Sequence, residues 1–358
     1  MNNPTGINFR KLLLEKEADT YYDDKHIGII IIGFGKMGLL HSSILNMLKP
    51  GCVRIVVDKS RLLVMGLKRI FKKTIFTRNI VEDLLAKQEI NAGYITTPTA
   101  SHLPVFETLA EHGVKHIFIE KPPGRNLDET KTIANRNAIV MIGFQKRYAL
   151  PFRHAKLLIE NKVIGEPVEA SAHIKSGDIL TKTNRFQGLG RGVLLDLGVH
   201  LIDLLQWMIG LDEVREATYK SIYTGVDDEF KAVMISNNGA RIQIESTWSD
   251  PSYRLPETMI RVKGDKGELI VTEDHLRVIS SEAYPELGVT EENKPIDYYK
   301  PNYYPGYPPV NLADPEYTIE NIHFLNTIAT CEKPLTSIDE AVETMKIIDM
   351  LYEAAGVK

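Results

Sequence analysis

Three observations in the sequence predict an α/β chain in which a doubly wound parallel sheet is followed by an α+β domain with a mostly antiparallel open sheet. From Ile27 to Tyr148, short β-branched runs alternate with helix-length amphipathic segments, the pattern of βαβ units and a parallel sheet. After Tyr148 the grammar changes to longer alternating runs separated by hairpin-type turns. At 358 residues the chain is too long for one ordinary core and suits two domains of roughly 150 residues or more. The expected division is an N-terminal extension over 1–26, a first domain over 27–148 and a second over 149–358.

In order, the first domain offers strands at Ile27–Ile32, Val53–Val57, Thr74–Phe76, Ala92–Thr96, His116–Glu120 and Ile139–Gly143. Helical patterns fall between them at about Met37–Leu48, Arg61–Phe71, Val81–Lys87, Leu103–His112 and Leu127–Ala134, a doubly wound layout. The second domain opens with a helix near Phe152–Glu160. Its strand-like runs include Pro167–Ile174, Phe230–Ile235, Arg241–Trp248, Met259–Val262 and Leu269–Val271. Asn237-Asn238-Gly239 and Gly264-Asp265-Lys266-Gly267 supply the turns, and an apolar helix, Gly192–Ile209, interrupts the strands. Residues 282–316, rich in Pro and Tyr and without a clear period, read as a long loop, either a lid or a subunit contact. Helical patterns at Ile319–Thr330 and Ile338–Ala355 close the chain.

Composition narrows the function classes. Hydrophobic residues at 43% and charged residues at 25% belong to a globular chain with a sizeable core. A net charge of −4 provides no basic field for a nucleic-acid backbone. Cys52 and Cys331 stand far apart, so neither a disulfide framework nor a thiolate metal site is expected. His112 and His116 are four apart, but Gly113 breaks any shared helix face, and no GxxxxGK[ST] phosphate loop occurs. The longest apolar run near the N-terminus, Ile27–Gly33, falls far short of the ~20 residues that cross a bilayer. Residues 1–26 show no signal-peptide pattern, and Leu12, Leu13 and Leu14 suggest a short helix. A cytoplasmic protein with no membrane and no nucleic-acid partner is expected.

Gly33-Phe34-Gly35-Lys36-Met37-Gly38 follows an apolar strand and opens a helix, the context that raises a GxGxxG match above chance. Gly33 suits the tight turn, Gly35 admits pyrophosphate to the backbone, and Gly38 lets helix and strand pack closely. The helix N-terminus then offers N–H groups and a positive dipole end to phosphate. Asp58 ends the next strand, twenty positions after Gly38, where a carboxylate would accept the adenosine ribose hydroxyls. This favours NAD, while Lys59, Ser60 and Arg61 leave NADP open. The first domain therefore reads as a Rossmann dinucleotide-binding fold.

Thr96-Thr97-Pro98-Thr99 with His102 follows the fourth strand, and Glu120-Lys121-Pro122 the fifth. Ligands in such sheets sit at strand ends near the switch point, so Lys121 is placed to donate a proton or orient a substrate hydroxyl. In the second domain Asp196, His200 and Asp203 stand at i, i+4 and i+7 in an apolar helix and would share one face. An imidazole between two carboxylates is the arrangement that fixes a tautomer and tunes a general base.

As a set, these segments resemble the glucose-fructose oxidoreductase, inositol dehydrogenase and rhizopine-catabolism (Gfo/Idh/MocA) family from Ile27 to the end. The likeness rests on the glycine fingerprint, the Thr97-Pro98-Thr99 segment with His102, and Glu120-Lys121-Pro122. It continues through Gly143-Phe144-Gln145-Lys146-Arg147-Tyr148, Asp196-Leu197-Gly198-Val199-His200 and Lys333-Pro334-Leu335-Thr336-Ser337. The resemblance implies that Lys121, Asp196 and His200 form the catalytic group: the His takes the hydroxyl proton as hydride leaves for the nicotinamide, and Lys and Asp position the hydroxyl. It also implies that Gly33, Phe34, Gly35, Lys36, Met37, Gly38, Asp58, Thr97, Pro98, His102, Glu120, Lys121 and Arg147 border the cofactor, with Tyr148 near the substrate. Two departures stand out: Gly190-Arg191-Gly192 replaces the triple glycine of many members, and the Tyr-rich loop is long. With Arg185, they would suit an acidic sugar or a sugar nucleotide.

The leading expectation is thus an NAD(P)-dependent dehydrogenase acting on a sugar, cyclitol, sugar acid or nucleotide sugar. Two alternatives stand beside it: an enzyme that retains its dinucleotide for glycoside hydrolysis or hydride exchange, and a non-catalytic dinucleotide or sugar sensor. The family also implies a homodimer or homotetramer paired through the free sheet face.

Overall fold

The computed structural model describes residues 22, 26–70, 73–80, 82–177, 190–300 and 314–357. The expected helix at Leu12–Leu14, Arg185 with its neighbours, and Tyr303, Tyr304 and Tyr307 lie outside the described residues. The elements begin with β1 (Ile29–Ile32), α1 (Lys36–Leu48), β2 (Val53–Val57), α2 (Arg61–Ile70), β3 (Ile75–Thr77), α3 (Glu82–Lys87) and β4 (Ala92–Ile95). Next come α4 (His102–Glu111), β5 (His116–Ile119), α5 (Leu127–Ala134), β6 (Ile139–Ile142), α6 (Leu150–Glu160) and β7 (Pro167–Lys175). A π-helical turn, Leu194–Gly198, leads into α7 (Val199–Ile209). Strands β8 (Leu211–Lys220), β9 (Glu229–Ser236), β10 (Arg241–Thr247), β11 (Glu257–Gly264), β12 (Gly267–Thr272), β13 (His275–Ser280) and β14 (Ile296–Tyr299) follow, then α8 (Pro315–Thr330) and α9 (Ile338–Ala354).

These elements divide into two compact units. Of the described residues after Tyr22, one unit takes 26–145 and 314–342 and the other 146–300 and 343–357. In the first, six parallel strands run in the order β3-β2-β1-β4-β5-β6, the expected dinucleotide-binding arrangement. Ile32 aligns with Val57 on one side and Ile95 on the other, and Ile119 with Ile142. The strand order reverses between β1 and β4, so the sheet's ligand-binding crevice falls past Ile32 and Ile95. All four residues of β1, β4 and β5 are buried, as expected of a parallel sheet covered on both faces, and each buried Ile contributes roughly 1.5–3 kcal/mol. Helix α8 folds onto α1 and β5 although it follows the second unit in sequence. Phe324 meets Tyr94 edge-on at 5.2 Å, and Tyr94 stacks on Phe118 at 4.7 Å.

The second unit holds eight strands in the order β14-β13-β12-β11-β7-β10-β9-β8, antiparallel except where β7 meets β10. Both expected turns join neighbouring antiparallel strands, 237–239 between β9 and β10 and Asp265-Lys266 between β11 and β12. One face is apolar and buried, with Ala170, Ala172, Ile174, Phe230, Met234, Ile242, Ile244, Ile260 and Val262. Helices α6 and α7 pack within this unit, α6 against β12 and β13 and α7 against β7. On the opposite face Glu245 pairs with Lys175 at 2.7 Å and Lys231 at 3.0 Å, within a groove of about 460 Å³ that Glu216 and Gln243 also line.

Three strands lie outside the runs picked from sequence, two of them for an identifiable reason. Both β8 and β14 are sheet edges, where exposed polar positions erase the apolar alternation, and the third is β13, in which buried Leu276 and Val278 flank exposed Arg277. The expected loop over 282–316 is therefore corrected in part: Ile296–Tyr299 extends the sheet, and Tyr298 donates from its hydroxyl to the Gly288 carbonyl at 2.6 Å. The expected single helix Gly192–Ile209 is corrected too, because its first turn is π-helical.

Candidate active site

The glycine loop is built from backbone outward. Gly33, with φ of +91°, donates its N–H to Val57 at 2.9 Å, and its carbonyl accepts the Thr96 hydroxyl at 2.6 Å. A side chain at Gly38 would overlap the Gly33 carbonyl oxygen, so this helix–strand approach requires glycine. Nothing lies within 4 Å of where a Cβ would stand on Gly35. Gly35 also occupies the N-cap of α1, which therefore has neither a side-chain cap nor an acidic residue in its first turn. The helix presents bare N–H donors and its positive end to that open space, a setting suited to phosphate. The Asp58 carboxylate accepts the Phe34 N–H at 2.7 Å and the Ser60 N–H at 2.8 Å. Its negative charge is thereby held against the loop, with Lys59 and Arg61 exposed nearby.

His102 is buried between two loops, its Nε2 2.8 Å from the Thr97 carbonyl and its Nδ1 3.0 Å from the Pro122 carbonyl. Burial lowers its pKa, while the hydrogen bonds to the two carbonyls act in the opposite direction. It thus braces the segment after β4 against the segment after β5. There Glu120 donates its N–H to Ile95 at 3.0 Å and accepts the Lys121 N–H on Oε2 at 3.2 Å.

Behind Glu120 lies a buried polar cluster that sequence reasoning missed. His41 on α1 stands 2.9 Å from Glu120 Oε1 through Nε2, and Asn321 on α8 meets its Nδ1. The Tyr94 hydroxyl donates to Asn321 Oδ1 at 2.9 Å, and the Gln145 amide donates to the Tyr317 hydroxyl at 3.2 Å. Burial, with Glu120 and Glu316 near it, pushes the Glu320 carboxyl well above the usual carboxylate range. Burial also raises the Tyr317 hydroxyl. The available sequence signal was that Glu316, Tyr317, Glu320 and Asn321 fall at i, i+1, i+4 and i+5, on one side of a helix.

In the second unit, the π turn that carries Asp196 starts from a buried carboxylate. Asp227 Oδ1 accepts the Gly192 N–H at 2.7 Å, and Oδ2 accepts the Leu194 N–H at 2.9 Å. Tyr352 of α9 donates its hydroxyl to Asp227 and lies 3.2 Å from the Leu195 N–H. Neither Asp227 nor Tyr352 was foreseen. The Arg191 guanidinium sits over the Tyr352 ring at 4.5 Å and pairs with Asp349. His200 is buried in the first turn of α7.

The expected imidazole between two carboxylates was placed on one regular helix, and the segment opens instead with a π turn. Asp196 lies in that π turn and His200 in the first turn of α7. The Asp203 carboxylate accepts Arg147 Nε at 2.8 Å and Nη2 at 2.7 Å, a buried bidentate pair, and takes the Thr344 hydroxyl at 3.3 Å. Within the first unit, then, the structure brings the glycine loop, Asp58, Thr97, Pro98, His102, Glu120 and Lys121 to the C-terminal edge of one sheet. Within the second, Asp196 and His200 follow each other along the π-to-α segment, and Arg147 joins Asp203.

Against family models, residues 27–144 match the oxidoreductase family, NAD-binding Rossmann fold, and residues 152–270 match the GFO/IDH/MocA C-terminal domain. The chain belongs to the Gfo/Idh/MocA family. Within that family it is 28% identical over 200 residues to the uncharacterized oxidoreductase YrbE of Bacillus subtilis, covering 55% of this chain and 57% of that protein. It is 26% identical over 283 residues to D-xylose 1-dehydrogenase (NADP(+)) 2 of Haloferax volcanii, covering 76% of this chain and 81% of the relative. Its fold is that of levoglucosan dehydrogenase solved with NADH and levoglucosan, at a TM-score of 0.78 and 21% identity, over 93% of this chain and 98% of that one. Among the described residues, no helix is long and apolar enough to cross a membrane.

Proposed function

We propose that this Gfo/Idh/MocA chain is an NAD(P)-dependent dehydrogenase acting on a CH–OH group of a sugar, cyclitol, sugar acid or nucleotide sugar. One observation carries the reading: the uncapped glycine turn after β1 and Glu120-Lys121 after β5 stand at the C-terminal edge of one parallel sheet, beside its switch point. The open space at Gly35, the bare N–H groups of α1 and the Asp58 carboxylate fit a dinucleotide. Residues 33–38 and Asp58 would hold it, Thr97, Pro98, Glu120 and Lys121 would border it, and His102 would shape that border by bracing the two loops. Arg147, whose side chain is buried in its pair with Asp203 within the second unit, would border the cofactor by the family's pattern. Bound there, nicotinamide supplies a hydride acceptor or donor.

The chain's own chemistry is proton handling. His200 takes the proton of the reacting hydroxyl, and Lys121 and Asp196 orient that hydroxyl and support its developing charge. Asp58 favours NAD, because a ribose 2′-phosphate would meet a carboxylate already fixed on the loop, while exposed Lys59 and Arg61 permit NADP. The Haloferax relative is named for NADP, and levoglucosan dehydrogenase was solved with NADH, which supports both. Residues 27–148 serve the nucleotide, and residues within 149–358 serve substrate and assembly. The half-exposed second sheet supports a homodimer or homotetramer formed through its charged face, in the cytoplasm.

The test follows nicotinamide absorbance with NAD or NADP and a panel of cyclitols, sugars, sugar acids and nucleotide sugars. Lys121→Met and His200→Ala are run alongside. Each variant is expected to lose turnover by ~100-fold or more while NADH binding persists. Turnover undiminished in both variants would overturn the assignment, and a monomer mass in light scattering would overturn the assembly.

A further inference from the structure

The buried cluster behind Glu120 has a defined direction of hydrogen bonding. The Tyr317 carbonyl can only accept, and it lies 2.7 Å from Asn321 Nδ2, which fixes the amide nitrogen of Asn321 on that side. The same nitrogen lies 2.9 Å from His41 Nδ1, nearer than Oδ1 at 3.2 Å, and Oδ1 takes the Tyr94 hydroxyl. An amide nitrogen donates, so His41 Nδ1 accepts and its ring proton sits on Nε2. That proton points at Glu120 Oε1, 2.9 Å away, and the other oxygen of the same carboxylate accepts the Lys121 N–H. Donors therefore run from Tyr94 through Asn321 and His41 to the Glu120 carboxylate, which also accepts the backbone N–H of Lys121.

The geometry points to His41 as a positioning residue for Lys121. It acts by holding the Glu120 carboxylate in the one orientation that fixes the Lys121 amide. This deepens the proposed dehydrogenase reading, on which the role of Lys121 rests. His41 itself is wholly buried and touches no reacting atom in that reading. Three elements hold it: α1 supplies the ring, α8 supplies Asn321, and the Phe118 ring of β5 packs 4.9 Å from it. Without the Nε2 proton the carboxylate keeps only the local backbone contact and is free to turn. Lys121 then samples more than one backbone setting, and an ammonium group displaced by about 1 Å costs turnover on the order of 100-fold.

The experiment uses the full chain and two substitutions at one site. His41→Phe keeps an aromatic ring and removes the donor, whereas His41→Gln sets a donor near the Nε2 position and an acceptor near Asn321. Hydrogen exchange of the Lys121 amide is expected to quicken in His41→Phe and to stay at the wild-type rate in His41→Gln, with or without NADH. In nitrogen-15 spectra the wild-type His41 is expected as the Nε2–H tautomer. On the best sugar of the panel, kcat is expected to fall about 10- to 100-fold in His41→Phe, with NADH affinity within about twofold, and to recover in His41→Gln.

An Nδ1–H tautomer, or equal amide exchange in wild type and His41→Phe, overturns the proposal. A kcat loss shared equally by Phe and Gln assigns His41 to packing alone and overturns it as well. If the wild type turns over no sugar, the dehydrogenase reading falls, and the amide-exchange contrast and the tautomer still decide the role of His41. Should His41→Phe fail to fold, Tyr94→Phe, which removes one donor at the far end of the chain, must quicken Lys121 exchange in the same direction.

Discussion

Replacing Asp203 by Leu leaves a guanidinium facing a site that water does not reach. The Arg147 and Asp203 side chains are 0% and 1% exposed, and two hydrogen bonds of 2.8 and 2.7 Å join them. Removing one partner of such a pair costs about 3–5 kcal/mol, because the other charge stays buried and loses its bidentate partner. In a unit of this size that corresponds to a fall in melting temperature on the order of 10 °C. Replacing both, as Arg147→Met with Asp203→Leu, removes the uncompensated charge and is expected to recover most of the loss. Urea unfolding of wild type, both single variants and the double variant closes the cycle, with a coupling of about 3 kcal/mol expected. Single-variant losses below about 1 kcal/mol, or a double variant as weak as the sum of the two, would refute the reasoning.

Two further outcomes are expected. Asp58→Ala removes the acceptor of both the Phe34 and Ser60 N–H groups, and NADH titration should show affinity falling about 10- to 100-fold, with NADPH losing less; equal losses for both would place the discrimination elsewhere. Burial pushes His154 from 6.5 down to about 4, so the unfolded chain protonates first as pH falls. The native state is then disfavoured progressively from pH 6.5 towards 4, by up to ~3 kcal/mol, and is unaffected above that window. Melting curves of His154→Leu should lack this acid slope, and an unchanged slope would show that other groups set it.

Much of the first unit was legible because its signals are local. A glycine loop between an apolar strand and a helix needs only neighbouring residues to be recognised, and Gly33, Gly38 and Asp58 fell where the spacing put them. The features that escaped depend on partners far along the chain. Asn321 meets His41 across 280 positions, and Tyr352 meets Leu195 across 157. A sequence window cannot show that the polar residues of α8 turn inward. The π turn escaped for a different reason: the periodicity argument for Asp196, His200 and Asp203 assumed one regular helix, and nothing local marks the change of step. Edge strands escaped because exposure removes the alternation that marks a strand.

The return of α8 to the parallel sheet also governs the order in which the molecule can be made. Synthesis delivers all six strands of that sheet before the second unit, yet α8 emerges only after it. Until then Tyr94 and Phe118 lack the Phe324 ring, and His41 lacks Asn321. On the ribosome the nucleotide-binding unit therefore waits, with an apolar flank uncovered, until residues Pro315–Thr330 have been translated. A gene fragment ended near residue 148 would reproduce that waiting state permanently, and an excised version of this unit needs residues 314–342 joined back to it.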